Sequence, residues 1–160
     1  ALTGLSNRRH LQLHLEREVA AARRGRKLAL VLFDLDSFKH YNDTLGHVVG
    51  DQILKAFGGI LTQENRAMNL VARYGGDEFV VVLPEADMEQ GYTVAQRVLE
   101  VARSVSIEAK NGDRLHASAS IGVAVYPDHA ADPKDLFLFA DSMMYRAKAE
   151  GRNRISAAAA

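Results

Sequence analysis

The 160-residue chain has no cysteine. Disulfides, thiolate-held zinc and cysteine nucleophiles are therefore all excluded, and the redox compartment stays unassigned, with the cytoplasm as the default. Charge of one sign is also missing. Lys+Arg number 20 and Asp+Glu number 20, a formal net charge of zero. The sequence-independent attraction to phosphate backbone that marks nucleic-acid binders is thus not expected, nor is a nucleic-acid partner. No apolar run approaches the roughly 20 residues needed to cross a bilayer, and no charged segment followed by an apolar stretch marks a secretory leader. The domain itself is expected to make no direct membrane contact, which leaves attachment of a longer parent protein open. No internal repeat or low-complexity linker interrupts the chain.

What is present is the composition of a soluble globular protein, 48% apolar and 25% charged, at a length that suits one domain with a core large enough to fold unaided. The chain opens on Ala1 and closes on Ala157 to Ala160, which suggests a piece of a longer protein. Residues 1–156 are assigned to the domain and 157–160 to a tail, either disordered or added.

Leu11, Leu15 and Val19 recur at four-residue spacing and predict an amphipathic helix over Asn7 to Arg24, ended by Gly25. Leu28 to Phe33 is almost unbroken apolar, the pattern of a strand covered on both faces, stopping on Asp34. A second helix is predicted over Asp51 to Leu61. Two short β-rich runs, Leu70 to Tyr74 and Phe79 to Leu83, flank Gly75-Gly76-Asp77-Glu78 and read as a hairpin. A third helix is expected over Gln90 to Arg103 and a strand over Leu115 to Tyr126, paired near Ser106 to Ala109. The last helix is placed over Pro133 to Ala149, stopped by Gly151. This order gives an α+β (α/β sandwich) domain, a central mixed sheet containing an antiparallel hairpin and flanked by helices.

Four groups of residues could carry chemistry. Asp34-Leu35-Asp36 ends the buried strand, where oxygen ligands suit a hard cation. Alternation puts both acids on one face, unless Asp36 has already left for a loop, and a plain turn start is the bland reading. The tip Gly75-Gly76-Asp77-Glu78 lets backbone approach a ligand beside two acids, or is simple turn chemistry. If it packs near Asp34, adjacent carboxylates favour a cation between them and a two-metal phosphoryl-transfer site becomes conceivable. The stretch from Phe38 to Asp51 is rich in groups able to read a base. Asn42 and Asp51 can act jointly only if the chain breaks near Gly46, and they could equally be helix ends. Lys148 and Arg152 are spaced for phosphate oxygens, or merely complement a helix C-terminus.

Taken together, Leu2-Thr3-Gly4-Leu5-Ser6-Asn7-Arg8-Arg9, Phe33-Asp34-Leu35-Asp36-Ser37-Phe38-Lys39 with Asn42-Asp43 and Gly46-His47, Gly50-Asp51, Arg73-Tyr74-Gly75-Gly76-Asp77-Glu78-Phe79, and Ala147-Lys148 with Gly151-Arg152-Asn153 resemble the GGDEF family of diguanylate cyclases over essentially the whole chain. The resemblance implies a sheet similar to nucleotidyl cyclase and polymerase-palm cores, and condensation of two GTP into cyclic di-GMP by two facing copies. It implies magnesium, or manganese in its place, two ions per half-site, held by Asp34, the Leu35 carbonyl and Glu78. Asp77 would assist metal binding or deprotonation of the attacking hydroxyl. Asn42 and Asp51 would read guanine, with His47 near the sugar or base. Lys148, Arg152, Lys39 and backbone from Leu35 to Phe38 would serve the phosphates, with Gly75 and Gly76 alongside. Many members carry Arg-x-x-Asp as a product-binding inhibitory site upstream of the hairpin. Here the run is Arg66-Ala67-Met68-Asn69, so weakened product feedback is expected, with Arg66 and Arg97 still present.

Overall fold

β1 (Leu28–Leu35) is buried along its entire length. A strand buried on both faces needs a layer on each side, and the two layers divide its side chains by parity. Ala29, Val31 and Phe33 join Phe57, Val98 and Ile121 in one core, whereas Leu28, Leu30 and Leu32 join Leu11, Leu15, Leu136 and Met144 in the other. The computed structural model describes residues 2–108, 112 and 114–158. In chain order the remaining elements are α1 (Arg8–Ala22), α2 (Phe38–Leu45), α3 (His47–Gln63), β2 (Leu70–Arg73), β3 (Glu78–Pro84), α4 (Met88–Ser104), β4 (Ser106–Glu108), β5 (Arg114–His116), β6 (Ala119–Tyr126), α5 (Pro133–Ala149) and β7 (Arg154–Ala157).

The five-stranded sheet runs β2-β3-β1-β6-β7. β1 pairs antiparallel with both β3 and β6, while β6 and β7 are parallel. Parallel neighbours require a crossover, and α5 supplies it. Helices α3 and α4 cover one face, and α1 and α5 the other. The seat of α5 depends on Gly122 of β6, where a Cβ would run into the α5 backbone at Ala140 and Met144. Caps set the helix starts. Asn7 accepts from the His10 N–H, Asp87 and Gln90 form a reciprocal capping box, and Asp132 precedes Pro133 at the first helical position.

Several expectations are corrected. Asn7 is a cap rather than a helical residue, the capping box starts α4 at Met88, and α3 begins at His47 rather than Asp51. β1 runs on through Asp34 to Leu35. The single strand expected over Leu115 to Tyr126 is two, because Arg114–His116 pairs with Ser106–Glu108 as a separate ribbon before β6 enters the main sheet. Ala109 lies outside the described residues. α2 and β7 had no counterpart in the sequence reading, and β7 takes in Ala157, a residue assigned above to the tail. No helix among the described residues is long and apolar enough to cross a membrane.

Candidate active site

The antiparallel register sets Asp34 of β1 directly opposite Glu78 of β3. Opposed residues share a face, and for Asp34 this is the face of Leu30 and Leu32, covered by α1 and α5. Asp34 is buried, with 5% exposure, and accepts a hydrogen bond from the Lys148 ammonium near the end of α5. Burial pushes the Asp34 carboxyl up to about 6. The Lys148 bond pulls it down, and Asp77, by charge and by hydrogen bonding, pushes it up again. Glu78 is raised too, by burial first and then by the charges of Asp34 and Asp141, against the opposing pull of Lys148 and Arg8. Carboxylates that oppose one another's ionisation in a desolvated corner are the arrangement a divalent cation relieves. Among the described residues no group of three or more acidic or histidine side chains is arranged to hold a metal ion.

Asp36 does different work. It lies just past β1 and accepts from Ser118 Oγ at 2.7 Å, Ser120 Oγ at 2.7 Å and the Asn153 N–H at 2.9 Å. Of the two alternatives left open for the Asp-x-Asp pair, the loop reading holds, and Asp36 ties the end of β1 to β6 and to the turn after α5. That turn carries Arg152 and Asn153 in left-handed conformation, φ 62° and 52°. It is held a second time by Arg103, which donates to the Asn153 side chain at 2.8 Å and backbone at 2.9 Å. Arg152 is thus presented, exposed, one turn beyond Lys148.

The hairpin tip is held by Arg73, whose guanidinium donates to the Gly75 carbonyl at 3.2 Å and the Gly76 carbonyl at 2.8 Å. Neither glycine is left-handed, and a Cβ built on Gly76 would touch nothing in the chain, so the fold alone does not demand glycine there. The break expected near Gly46 is present. α2 ends at Leu45, α3 starts at His47, and Gly46 has φ 91°. The corner brings His47 Nδ1 within 3.1 Å of Asn42 Oδ1. The Asn42 side chain lies so close over Gly50 that a Cβ there would overlap it. Asp51 follows immediately and is exposed. Phe38 packs its ring near Gly50, and Lys39 faces solvent in the first turn of α2. A separate cleft of about 350 Å³ gathers Arg66, Asn69 and Arg97. In it Asn69 donates to Asn65 Oδ1 at 3.0 Å, and Arg97 is bound to the Glu64 carbonyl at 3.1 Å.

Sequence reasoning missed the supporting residues Arg73, Arg103, Ser118 and Ser120. Only the serines left a trace, two hydroxyls spaced two apart at the head of a buried strand. It also missed Asp141.

Fold and site together define a class, α+β domains in which two adjacent antiparallel strands bring carboxylates face to face beneath a cationic helix end. Comparison with known proteins narrows the class. The model for "Diguanylate cyclase, GGDEF domain" matches residues 1–154. Diguanylate cyclase DosC of Escherichia coli K12 is 40% identical over 96% of this chain and 34% of its own length. Response regulator PleD of Caulobacter vibrioides is 38% identical over 99% of this chain and 36% of its own length. Among solved structures, the GGDEF domain of YfiN (TpbB) from Pseudomonas aeruginosa superposes with a TM-score of 0.91 at 35% identity, covering 99% of each chain. The GGDEF domain of DgcB from Caulobacter crescentus, in complex with c-di-GMP, gives 0.92 at 28% identity, covering 98% of this chain and 93% of that one. The chain belongs to the GGDEF-domain family of diguanylate cyclases. It spans about a third of the length of these curated relatives.

Proposed function

We propose that the chain, residues 1–156 above all, is a catalytic GGDEF domain that condenses two GTP into cyclic di-GMP and two pyrophosphates, each of two facing copies holding one GTP. The observation that carries this reading is the Asp34–Glu78 register pair with Lys148 against it. The pair is an acidic, desolvated corner next to a cation, suited to the charge of a phosphoryl transfer.

In this reading Asp34, Glu78 and the Leu35 carbonyl hold magnesium or manganese, two ions per half-site, with Asp77 assisting. The metal supplies charge neutralisation at the transferring phosphoryl group when bound. Lys148, paired here with Asp34, would serve the terminal phosphates together with Arg152, Lys39 and the backbone from Leu35 to Phe38. The open space above Gly76, with Gly75 beside it against the Glu78 side chain, supports a close approach of nucleotide to backbone. Asn42 and Asp51 at the α2–α3 corner read guanine, and His47 stands near the sugar or base. A carboxylate matches guanine's paired N1 and N2 donors and is a poor partner for adenine's N1 acceptor, which favours GTP over ATP. The 3′-oxygen of one nucleotide attacks the α-phosphorus of the other and the bond to pyrophosphate breaks. The hydroxyl proton passes toward Asp77 or solvent, and the reciprocal attack closes the ring. One copy cannot present both reactants, so a homodimer is the active form. The cytoplasm is the fitting compartment for GTP and this product.

The test is to incubate concentrated protein with GTP and magnesium and separate the products, beside an Asp77→Ala, Glu78→Ala variant. Cyclic di-GMP from the parent alone is expected. Its absence, even with dimerisation forced by a fused coiled coil, would replace this reading with a GTP-binding regulatory domain.

A further inference from the structure

A cleft of about 680 Å³ lies between α1 and α5 and opens at Glu78. Its walls mix apolar side chains such as Leu11, Leu15 and Phe137 with the charged Glu16 and Lys134, and Asp141 of α5 lines it together with Glu78. It lies on the α1–α5 face of the sheet, whereas the corner of Asn42, His47 and Asp51 belongs to α2 and α3. A base held at that corner lies away from this cleft, and with the phosphates at Lys148 and Arg152 the Asp141 end of the cleft has no group of that nucleotide assigned to it.

Asp141 and Lys148 are seven residues apart on one helix. Seven residues bring a helix back to within about 20° of the same direction and advance it about 10 Å along the axis. Lys148 reaches Asp34, and Asp141 lines the same cleft as Glu78. The flank of α5 that borders the paired carboxylates thus has a cation at one end and an anion at the other.

In-line displacement puts the attacking and leaving oxygens on opposite sides of the phosphorus. If Lys148 takes the leaving pyrophosphate, the attacking sugar comes from the Asp141 end. An attack distance of about 3 Å and two flanking hydrogen bonds of about 3 Å each occupy most of the helical advance between the two residues. From this juxtaposition we infer that Asp141 is a substrate-positioning residue for the attacking nucleotide, its carboxylate accepting a hydrogen bond from the 2′-hydroxyl and so aiming the neighbouring 3′-oxygen at the phosphorus. The inference rests on the cyclase reading above and adds to it a group that acts on the nucleotide carried by the facing copy.

The test uses Asp141→Asn and Asp141→Ala. Asp141 is exposed on its helix, so both variants are expected to melt within a few degrees of the parent. Binding of a non-hydrolysable GTP analogue, read by calorimetry, should change less than about twofold, since the nucleotide a copy holds for itself does not meet Asp141. Turnover of GTP should fall about tenfold to a hundredfold in the alanine variant and less in the asparagine variant, which keeps one acceptor. The deciding comparison is GTP against 2′-deoxy-GTP. In the parent, loss of the 2′-hydroxyl should lower turnover about tenfold or more, and in Asp141→Ala the same loss should cost almost nothing further. An equal penalty in parent and variant, unchanged turnover, or weakened analogue binding matching the lost turnover would each overturn the inference while leaving the cyclase reading intact. No cyclic dinucleotide from the parent itself would sink both.

Discussion

At the residue scale, two aspartates two positions apart have opposite needs. Asp34 is buried with its carboxyl pushed up to about 6, so in the metal-free protein its ionisation opposes folding. A group whose pKa is higher folded than unfolded favours the folded state below its unfolded value, here near 3.8, and loses that contribution as the pH rises through about 6. Relative to Asp34→Asn, the metal-free parent should therefore lose stability between about pH 4 and pH 6. Paired thermal melts across that range check this, and a constant difference between the two proteins would contradict it. Saturating magnesium with a GTP analogue should raise the parent's melting temperature more at pH 7.5 than at pH 5.

Asp36 is instead a structural clamp. Its three donors are satisfied inside the fold, and hydrogen bonds to a charged acceptor contribute about 1.5–3 kcal/mol each where they are not replaced by water. Asp36→Ala should lower unfolding free energy in urea by about 2–4 kcal/mol and loosen the Arg152 turn, although Asp36 need touch no nucleotide.

At the scale of elements, α5 brings Asp141, Lys148 and, through its exit turn, Arg152 to the sheet. Its position is set by contact between backbones at Gly122. Gly122→Ala should cost about 2–3 kcal/mol by overpacking. It should also reduce activity beyond that loss, because α5 must lift and take Lys148 with it. Activity measured well below the variant's melting temperature separates the two effects.

The same elements show what a reader of the sequence could and could not see. Amphipathic and fully apolar periods located α1, β1, α4 and α5, because those patterns answer directly to one or two buried faces. The requirement that Asn42 and Asp51 straddle a break pointed to Gly46, since helical geometry forbids the alternative. α2 escaped because it is only eight residues long, and its apolar stripe of Phe38, Tyr41 and Leu45 is too short a repeat to signal a helix by itself. β7 escaped because four residues, of which only Ser156 is buried, advertise no core face. The division of the run before Tyr126 between two sheets depends on who pairs with whom, and register across long chain separations is not written in local pattern. The candidate site was legible as residues. Its supports were not, because Arg73, Arg103 and Asp36 act through backbone carbonyls, backbone N–H groups and turn residues that have no sequence signature.

For the molecule as a whole, two readings concern its partners. Arg66, Asn69 and Arg97 share one cleft, but Asn69 supplies an amide where a carboxylate would take both donors of a guanine edge, and Arg97 is already engaged by Glu64. Feedback by cyclic di-GMP at this cleft should therefore be weak, and calorimetry with the product is the check. Tight binding that disappears in Arg66→Ala would contradict it. Asn69→Asp should strengthen product binding by about tenfold or more if the cleft is otherwise competent.

The clamp at Asp36 also bears on how the molecule comes into being. Its bond to Asn153 joins positions 117 apart, and Lys148 meets Asp34 across 114. The central strand β1, made early, has to wait for β3 to pair one of its edges and for β6 to pair the other. Contacts closed over such distances form late, and a chain emerging from the ribosome holds its first carboxylates long before it holds the lysine and the turn that answer them. The nascent domain should stay inert toward nucleotide until the turn before β7 is free, so a chain interrupted short of α5 should bind none.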